Sequence, residues 1–379
     1  MSSDGDHIFE AVVFLEYFAD LPDPRQAVKV IYPLAEVLLL TLCAIVAGAE
    51  TFTDIALFGE EKLSVLRRFL PFAPGTPPHD RLGTIFAALD PEAFHTRFAA
   101  WVAELTGVPE GVIAIDGKTC RRTFKKKGES LPVHIVSAFA AKHRLVLAQT
   151  KAEEKSNEIV AIPKLLDMLD IEGAIVTIDA MGCQRAIAQK ILNKKAHYIL
   201  ALKGSQGTLR GDVERFAREQ KANNFKDTTI TTDETADAGH GRIETRKTTV
   251  IHDVAWLQER HNWPALRAGV MIESERITGS KIERETRFYI TSLTDPANII
   301  AAAIRAHWSV ENGLHWIMDM VFRDDESRVR TDHAPTNFAS AKHIAFNLLR
   351  KRPRRLSLRA TPKRAAWNDD ALAEIITAR

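Results

Sequence analysis

Cysteine is scarce in this chain, and long apolar runs are absent. Cys43, Cys120 and Cys183 are odd in number and far apart among the 379 residues. They form neither a disulfide framework nor a CxxC pair, which excludes a disulfide-stapled secreted domain and fits a reducing, cytoplasmic setting. The most apolar run, "VLLLTLCAIVAGA" from Val37, is shorter than the roughly 20 residues a bilayer requires, so it reads as a buried helix and not a membrane span. "MSSDGDHIFE" is acidic and polar, unlike a secretory signal. There is no GxxxxGK(S/T) phosphate loop, no HExxH zinc motif, no internal repeat and no low-complexity tract. A large excess of one charge is missing too. The net charge is +2, so the molecule as a whole does not advertise a polyanionic partner.

What is present suits a soluble protein of two or three domains, with 45% hydrophobic and 26% charged residues. Basic residues cluster in "GKTCRRTFKKK" from Gly117 and "RKRPRRLSLRATPKR" from Arg350, each either a solvated surface or a polyanion contact. Residues 1–108 carry helical apolar spacing, broken at the proline-rich "LPDPR" and "PFAPGTPPHD". This region is either a DNA-binding unit or a helical support for the next domain. From Gly111 the texture turns to α/β. "GVIAID" is a buried strand, "VHIVSAFAA" and "RLVLAQTKA" a hairpin, and "NEIVAIPKLLDMLD" a helix capped by Ser156 or Asn157. "AIVTIDA", "CQRAIAQKILNKK" and "HYILALKG" continue as strand, helix and strand. Residues 204–285 are polar and threonine-rich, suiting a β-rich insertion. A long helix then starts with Asp295 as N-cap and Pro296 in its first turn.

Asp116 and Asp179 each close a buried strand. A carboxylate there is costly unless compensated or simply exposed at the strand end. On the late helix His307, Glu311, His315 and Asp319 are four apart and share a face, beside an apolar stripe of Val310, Leu314, Ile317 and Val321. Trp308 and Trp316 read as core by default, or as platforms on which bases stack. Two strand-end aspartates and a helix glutamate form an oxygen donor set suited to Mg²⁺ or Mn²⁺. Two such ions about 3.5–4 Å apart can clamp the attacking and leaving oxygens of a phosphodiester. Cys120 and Cys183 lie near the acids, which discourages a thiolate nucleophile.

"IAIDGKTCRRT", "EKSNEIVAIPKLLDMLD", "VTIDAMGCQ", "YILALKG", "GHGRIETR" and "HWSVENGLHWIMDMVFRDDESRVR" resemble the H-repeat-associated insertion-sequence transposases, DDE transposases with a β-rich insertion. The resemblance runs from about residue 20 to 355. It implies an RNase H-like catalytic core over residues 109–350 with the insertion at about 204–285, a helical N-terminal domain over 1–108 and a basic C-terminal tail over 351–379. It implies Asp116, Asp179 and Glu311 as catalytic and metal-binding residues. The chain departs from the wider group at His307 and Met318, where an Arg and a Lys are usual, and at Ser205 in "KGSQ".

The activity so implied is metal-dependent strand cleavage and strand transfer at the ends of an insertion sequence, with two Mg²⁺ or Mn²⁺ ions. Element ends and target DNA are the partners, and a homodimer assembles on them in the nucleoid. Lys118, Arg121, Arg122 and Lys203 are the expected phosphate contacts. His240, Arg242 and Arg246 form a basic ridge with Glu244, the alternative being a cross-strand ion-pair ladder. His307 and Asn312 contact the scissile DNA or order Glu311. Two readings compete: a catalytically inactive DNA-binding relic or regulator, and a stand-alone RNase H-like nuclease.

Overall fold

Proline and short polar caps set the limits of the first helices. The computed structural model describes residues 10–124, 131–153, 158–239, 241–351 and 356–378. Six helices come first: α1 (Val13–Phe18), α2 (Leu34–Val46), α3 (Phe52–Glu61), α4 (Leu63–Leu66), α5 (His79–Ala88) and α6 (Pro91–Thr106). Pro33 and Pro78 stand just before α2 and α5. Thr51 and Asp54 close a reciprocal capping box on α3, and Asp90 caps α6. The run from Val37 is α2, and it is buried from Glu36 to Val46. Glu36 is tolerated there because its Oε1 accepts the N–H of Phe72 at 2.8 Å.

A nine-stranded mixed sheet comes next. Its strands are β1 (Val112–Thr119), β2 (His134–Ala140), β3 (Leu145–Ala152), β4 (Ile175–Ile178), β5 (His197–Leu202), β6 (Ile230–Gly239), β7 (Arg242–Ile251), β8 (Ala268–Thr278) and β9 (Lys281–Thr291). Their order is β3-β2-β1-β4-β5-β9-β8-β7-β6. β1, β4 and β5 run parallel, and all other pairings are antiparallel. Crossover helices α7 (Glu158–Asp167) and α8 (Arg185–Asn193) precede β4 and β5, and α9 (Gly207–Ala222) follows β5. Pro163 lies inside α7. The expected caps Ser156 and Asn157 lie outside the described residues. The short helix α10 (Ala255–His261) joins β7 to β8.

Several sequence expectations change here. β1 does not stop at Asp116 but runs on to Thr119, because Gly117, Lys118 and Thr119 still pair with β2. β9 pairs with β5, so the four added strands extend the core sheet without a break. The late helix is interrupted: α11 (Ala297–His307) gives way to a π-helical turn, Glu311–His315, and then to α12 (Trp316–Met320). Pro296, and not Asp295, occupies the N-cap position, and Thr231 Oγ1 accepts the Ala297 N–H at 2.9 Å.

The expected basic tail over 351–379 is also corrected. After α13 (Ala334–Lys351), the chain forms α14 (Thr361–Trp367) and α15 (Asp369–Ile376). Leu372, Ile375 and Ile376 are buried, and α15 packs on α2 and α13. α13 also packs on α2, α5, α6 and β3. Chain start and chain end therefore build one helical layer together. Lys62 meets Asp369 at 2.6 Å, and Arg68 meets Asp370 at 3.0 Å.

α13 carries polar groups into this core, each with a partner. Asn347 takes both the N–H and the C=O of Val146, at 2.9 and 2.8 Å, as a neighbouring strand would on the edge strand β3. Asn337 donates to the carbonyls of Phe86 and Leu89. Gln149 bonds Ser340 and His343. Truncating Asn347 to Ala would leave two buried backbone groups unpaired. The expected cost is about 2–4 kcal/mol, read as a lower urea midpoint.

Burial lowers His95 and His343 to a pKa of about 4 each. An unfolded imidazole titrates near 6.5, on the order of the free side chain. Between those values the unfolded chain binds more protons, so stability is full above the unfolded pKa and falls as pH drops toward 4. The urea midpoint should therefore decline steadily from pH 7 to pH 4.5. A flat profile over that range contradicts neutral burial of these two rings.

Candidate active site

β1 and β4 are neighbours in parallel register, with Ile115 opposite Ile178. The next position on each is an aspartate, so Asp116 and Asp179 stand level on adjacent chains and face the same side of the sheet. Asp179 sits just past β4, and its Oδ1 accepts the Met181 N–H at 2.9 Å. The carbonyl of Ala180, in the same turn, accepts from Gln206 Nε2 at 2.6 Å. The "KGSQ" segment thus braces the Asp179 turn through its glutamine.

α11 and the π turn cover this face. His307 Nδ1 lies 3.0 Å from Thr177 Oγ1, fixing the end of α11 over β4. His315 Nδ1 lies 3.5 Å from Asp116 Oδ2. Burial, with the Lys118 charge behind it, lowers His315 to about 3, so the ring is neutral and this contact is not an ion pair. Burial raises Asp116 to about 7. The Gly117 N–H opposes that rise, and the charges of Asp179, Glu158 and Glu311 add to it. Glu311 itself is exposed at the first position of the π turn.

The π turn undoes the four-apart stack expected of one helix face. His307 turns to Thr177, His315 to Asp116 and Asp319 to Lys118. Gly313 allows the close approach: a Cβ there would lie 3.2 Å from Phe139 Cζ. Arg350 Nη2 donates to the Gly313 carbonyl at 3.1 Å, satisfying one backbone group of the turn. Val310, Leu314 and Ile317 are buried as expected, while Val321 is half-buried. The tryptophans are not core. Trp308 is 41% and Trp316 57% exposed, with the Arg287 guanidinium 5.0 Å over the Trp308 ring.

The other expected contacts scatter. Lys118 is 13% exposed and pairs with Asp319 at 2.7 Å and Asp325 at 3.3 Å, so it does not stand free for a phosphate. Arg121 is 79% exposed and 3.3 Å from Asp325. Arg122 is exposed. Lys203 lines a cavity of about 270 Å³ with Asp179, His307 and Trp308. Arg246 joins an ion-pair ladder with Glu244 at 2.6 Å and Asp237 at 3.2 Å, which Arg276 and Arg305 extend. Arg242 is exposed at the start of β7. Asn312 faces a different cavity, of about 550 Å³, beside Arg144 and Trp316. His240 and the side chain of Ser205 lie outside the described residues.

Sequence reasoning missed a buried pair behind β1. His134 Nε2 meets Glu158 Oε1 at 2.6 Å, and His134 Nδ1 meets Thr119 Oγ1 at 2.8 Å. Gly117 is a glycine for this reason, since any Cβ there would overlap the pair. The signal was the glycine directly after Asp116. The thiols behave as expected: burial first, then Asp179, lifts Cys183 to about 12, and burial and Asp324 raise Cys120.

The donor chemistry fits a hard divalent cation. Among the described residues neither Asp116 nor Asp179 has a Lys or Arg ion pair, and the carboxylates raise Asp116 by mutual repulsion. No three His, Cys, Asp or Glu side chains among the described residues yet converge on one ion position.

Residues 108–348 match the family described as Transposase DDE domain, and residues 15–102 match the DDE_Tnp_1-associated family. The chain belongs to the DDE transposases. It is 38% identical over 370 residues to the "H repeat-associated putative transposase YhhI" of Escherichia coli K12, covering 96% of this chain and 97% of that one. It is 39% identical over 341 residues to the "Putative transposase YncI" of Escherichia coli O157:H7, covering 89% and 87%. A solved piggyBac transposase synaptic complex with hairpin DNA aligns over 96% of this chain and 76% of that one, at 8% identity and a TM-score of 0.42. The protein is thus a DNA transposase, and its DDE domain implies dependence on divalent metal. No helix among the described residues is long and apolar enough to cross a membrane.

Gly117→Ala should displace the His134–Glu158 pair. The expected result is a loss of about 1–3 kcal/mol of stability together with reduced DNA cleavage, read by thermal melting and a nicking assay.

Proposed function

We propose that this transposase cuts and joins DNA by phosphoryl transfer at Asp116, Asp179 and Glu311, in an RNase H-like core. The observation that carries the reading is the level placement of Asp116 and Asp179 on parallel neighbours, with the charge of Glu311 felt at Asp116. The strand order β3-β2-β1-β4-β5, antiparallel and then parallel, supports the core assignment. The core spans about 109–350, and the helical layer draws on 1–108 and 351–379.

Asp116 and Asp179 would hold the metal, and Glu311 would complete the site. Mg²⁺ or Mn²⁺ held there, two ions in this reading, would supply Lewis-acid activation of water or a 3′-OH and charge neutralisation at the leaving oxygen. Neutral His307, anchored on Thr177, orients the wall beside Asp179. Arg121, Arg122 and Lys203 hold phosphates and set the position of DNA without reading its sequence. Two chains pair two element ends as a homodimer on DNA, in the cytoplasm at the nucleoid.

The test is strand cleavage and strand transfer on DNA carrying the element's ends, with Mg²⁺ or Mn²⁺. Asp116→Ala, Asp179→Ala and Glu311→Ala should bind DNA yet lose more than about 100-fold in rate, beyond the usual effect of an outer-shell residue. Wild-type protein that binds but never cuts, with either metal, would make the chain a non-catalytic DNA binder. Cutting without joining would make it a nuclease.

A further inference from the structure

Lys118 lies two residues beyond Asp116 on β1, so both side chains leave the same face of the sheet about 7 Å apart. Its ammonium lies 2.7 Å from Asp319 Oδ1 and donates to Asp325 Oδ1 at 3.3 Å. Both acids belong to the stretch that leaves the π turn: Asp319 on α12, Asp325 in the turn beyond it. Between them Asp324 is buried, where it accepts from Lys342 Nζ and from the Cys120 thiol, each at 3.1 Å. The end of β1, from Lys118 to Cys120, is thereby tied to the acidic stretch 319–325 at two points.

We propose that Lys118 is a positioning residue for the metal site, clamping the segment that carries Glu311 against the strand that carries Asp116. This rests on the reading of Asp116 and Glu311 as metal ligands. A DNA phosphate could reach Lys118 only by displacing a carboxylate already in place. α12 starts where the π turn ends, so movement of Asp319 is passed directly to the turn. Arg350 holds the same turn from the other side, through the Gly313 carbonyl. Phosphate contact in "GKTCRR" falls instead to Arg121 and Arg122, which reach solvent.

The sign of one measurement separates this role from simple electrostatics. Removing a cation near a metal site should, by charge alone, tighten Mn²⁺. Loss of positioning should weaken it. Full-length Lys118→Met, Lys118→Arg and Asp319→Asn are compared with wild type for Mn²⁺ affinity, by electron paramagnetic resonance of free Mn²⁺. Their affinity for end DNA is measured against salt without divalent metal.

Lys118→Met and Asp319→Asn should raise the Mn²⁺ dissociation constant about tenfold or more, with Lys118→Arg close to wild type. DNA affinity and its salt slope should not change. The proposal is overturned if Lys118→Met leaves Mn²⁺ binding intact or tighter, or if it weakens DNA binding and flattens the salt slope by about one unit. Should Lys118→Met fail to fold, the double variant Lys118→Met/Asp319→Asn decides, since it removes the pair without changing the net charge, and unchanged Mn²⁺ affinity there sinks the idea. Wild type that binds no Mn²⁺ at all removes the metal-site reading itself, a different failure.

Discussion

A carboxylate fixed part-way along an interior strand is the constraint around which this molecule is arranged. Asp116 does not end its strand, because β1 continues past it to Thr119, paired with β2. Its neighbours do not neutralise it either: Asp179 repeats the charge one strand away, His315 is neutral, and Lys118 is engaged by other acids. An arrangement so costly in isolation makes sense when a cation completes it. The parallel pairing of β1 with β4, the anchoring of His307 on Thr177 and the π turn all serve to keep charge of one sign gathered at that sheet edge.

Two layers of support surround it. Behind β1, the small size of Gly117 admits the His134–Glu158 pair, so the strand is backed by a buried polar contact and not by a loose apolar gap. In front, the acidic stretch 319–325 would repel both itself and the site were it not neutralised by Lys118 and Lys342. Burial pushes Asp324 up, yet the Lys342 charge, the Cys120 hydrogen bond and the Lys118 charge together outweigh it and hold that carboxyl below its usual range. The Lys342–Asp324 pair is shielded from water, where pairing decides whether a charge is tolerated.

Local pattern made the strands and the crossover helices legible in the sequence, because apolar runs carry their meaning within a few residues. Glu311 was singled out as a candidate by its place on the late helix, but its surroundings were not legible. A π turn has no spacing signature, and it depended on Gly313 meeting Phe139 from a distant strand. The exposure of Trp316 was hidden for the same reason, since the extra residue in the turn rotates everything after it. Lys118 looked like a phosphate ligand because its partners lie about 200 positions later, a separation that the hydrogen bond to Asp325 spans. The basic run from Arg350 masked α14 and α15, whose short apolar faces matter only in tertiary packing, α14 on α15 and α15 on α2 and α13.

The helical layer also imposes an order on biosynthesis. α2, a largely apolar helix, leaves the ribosome early, whereas α13 and α15, which pack on it, follow the sheet in sequence. At ordinary elongation rates that interval is on the order of tens of seconds. The nascent transposase therefore holds α2 against α1 and α3 alone while the sheet assembles, and the face that α13 and α15 take stays open until they follow.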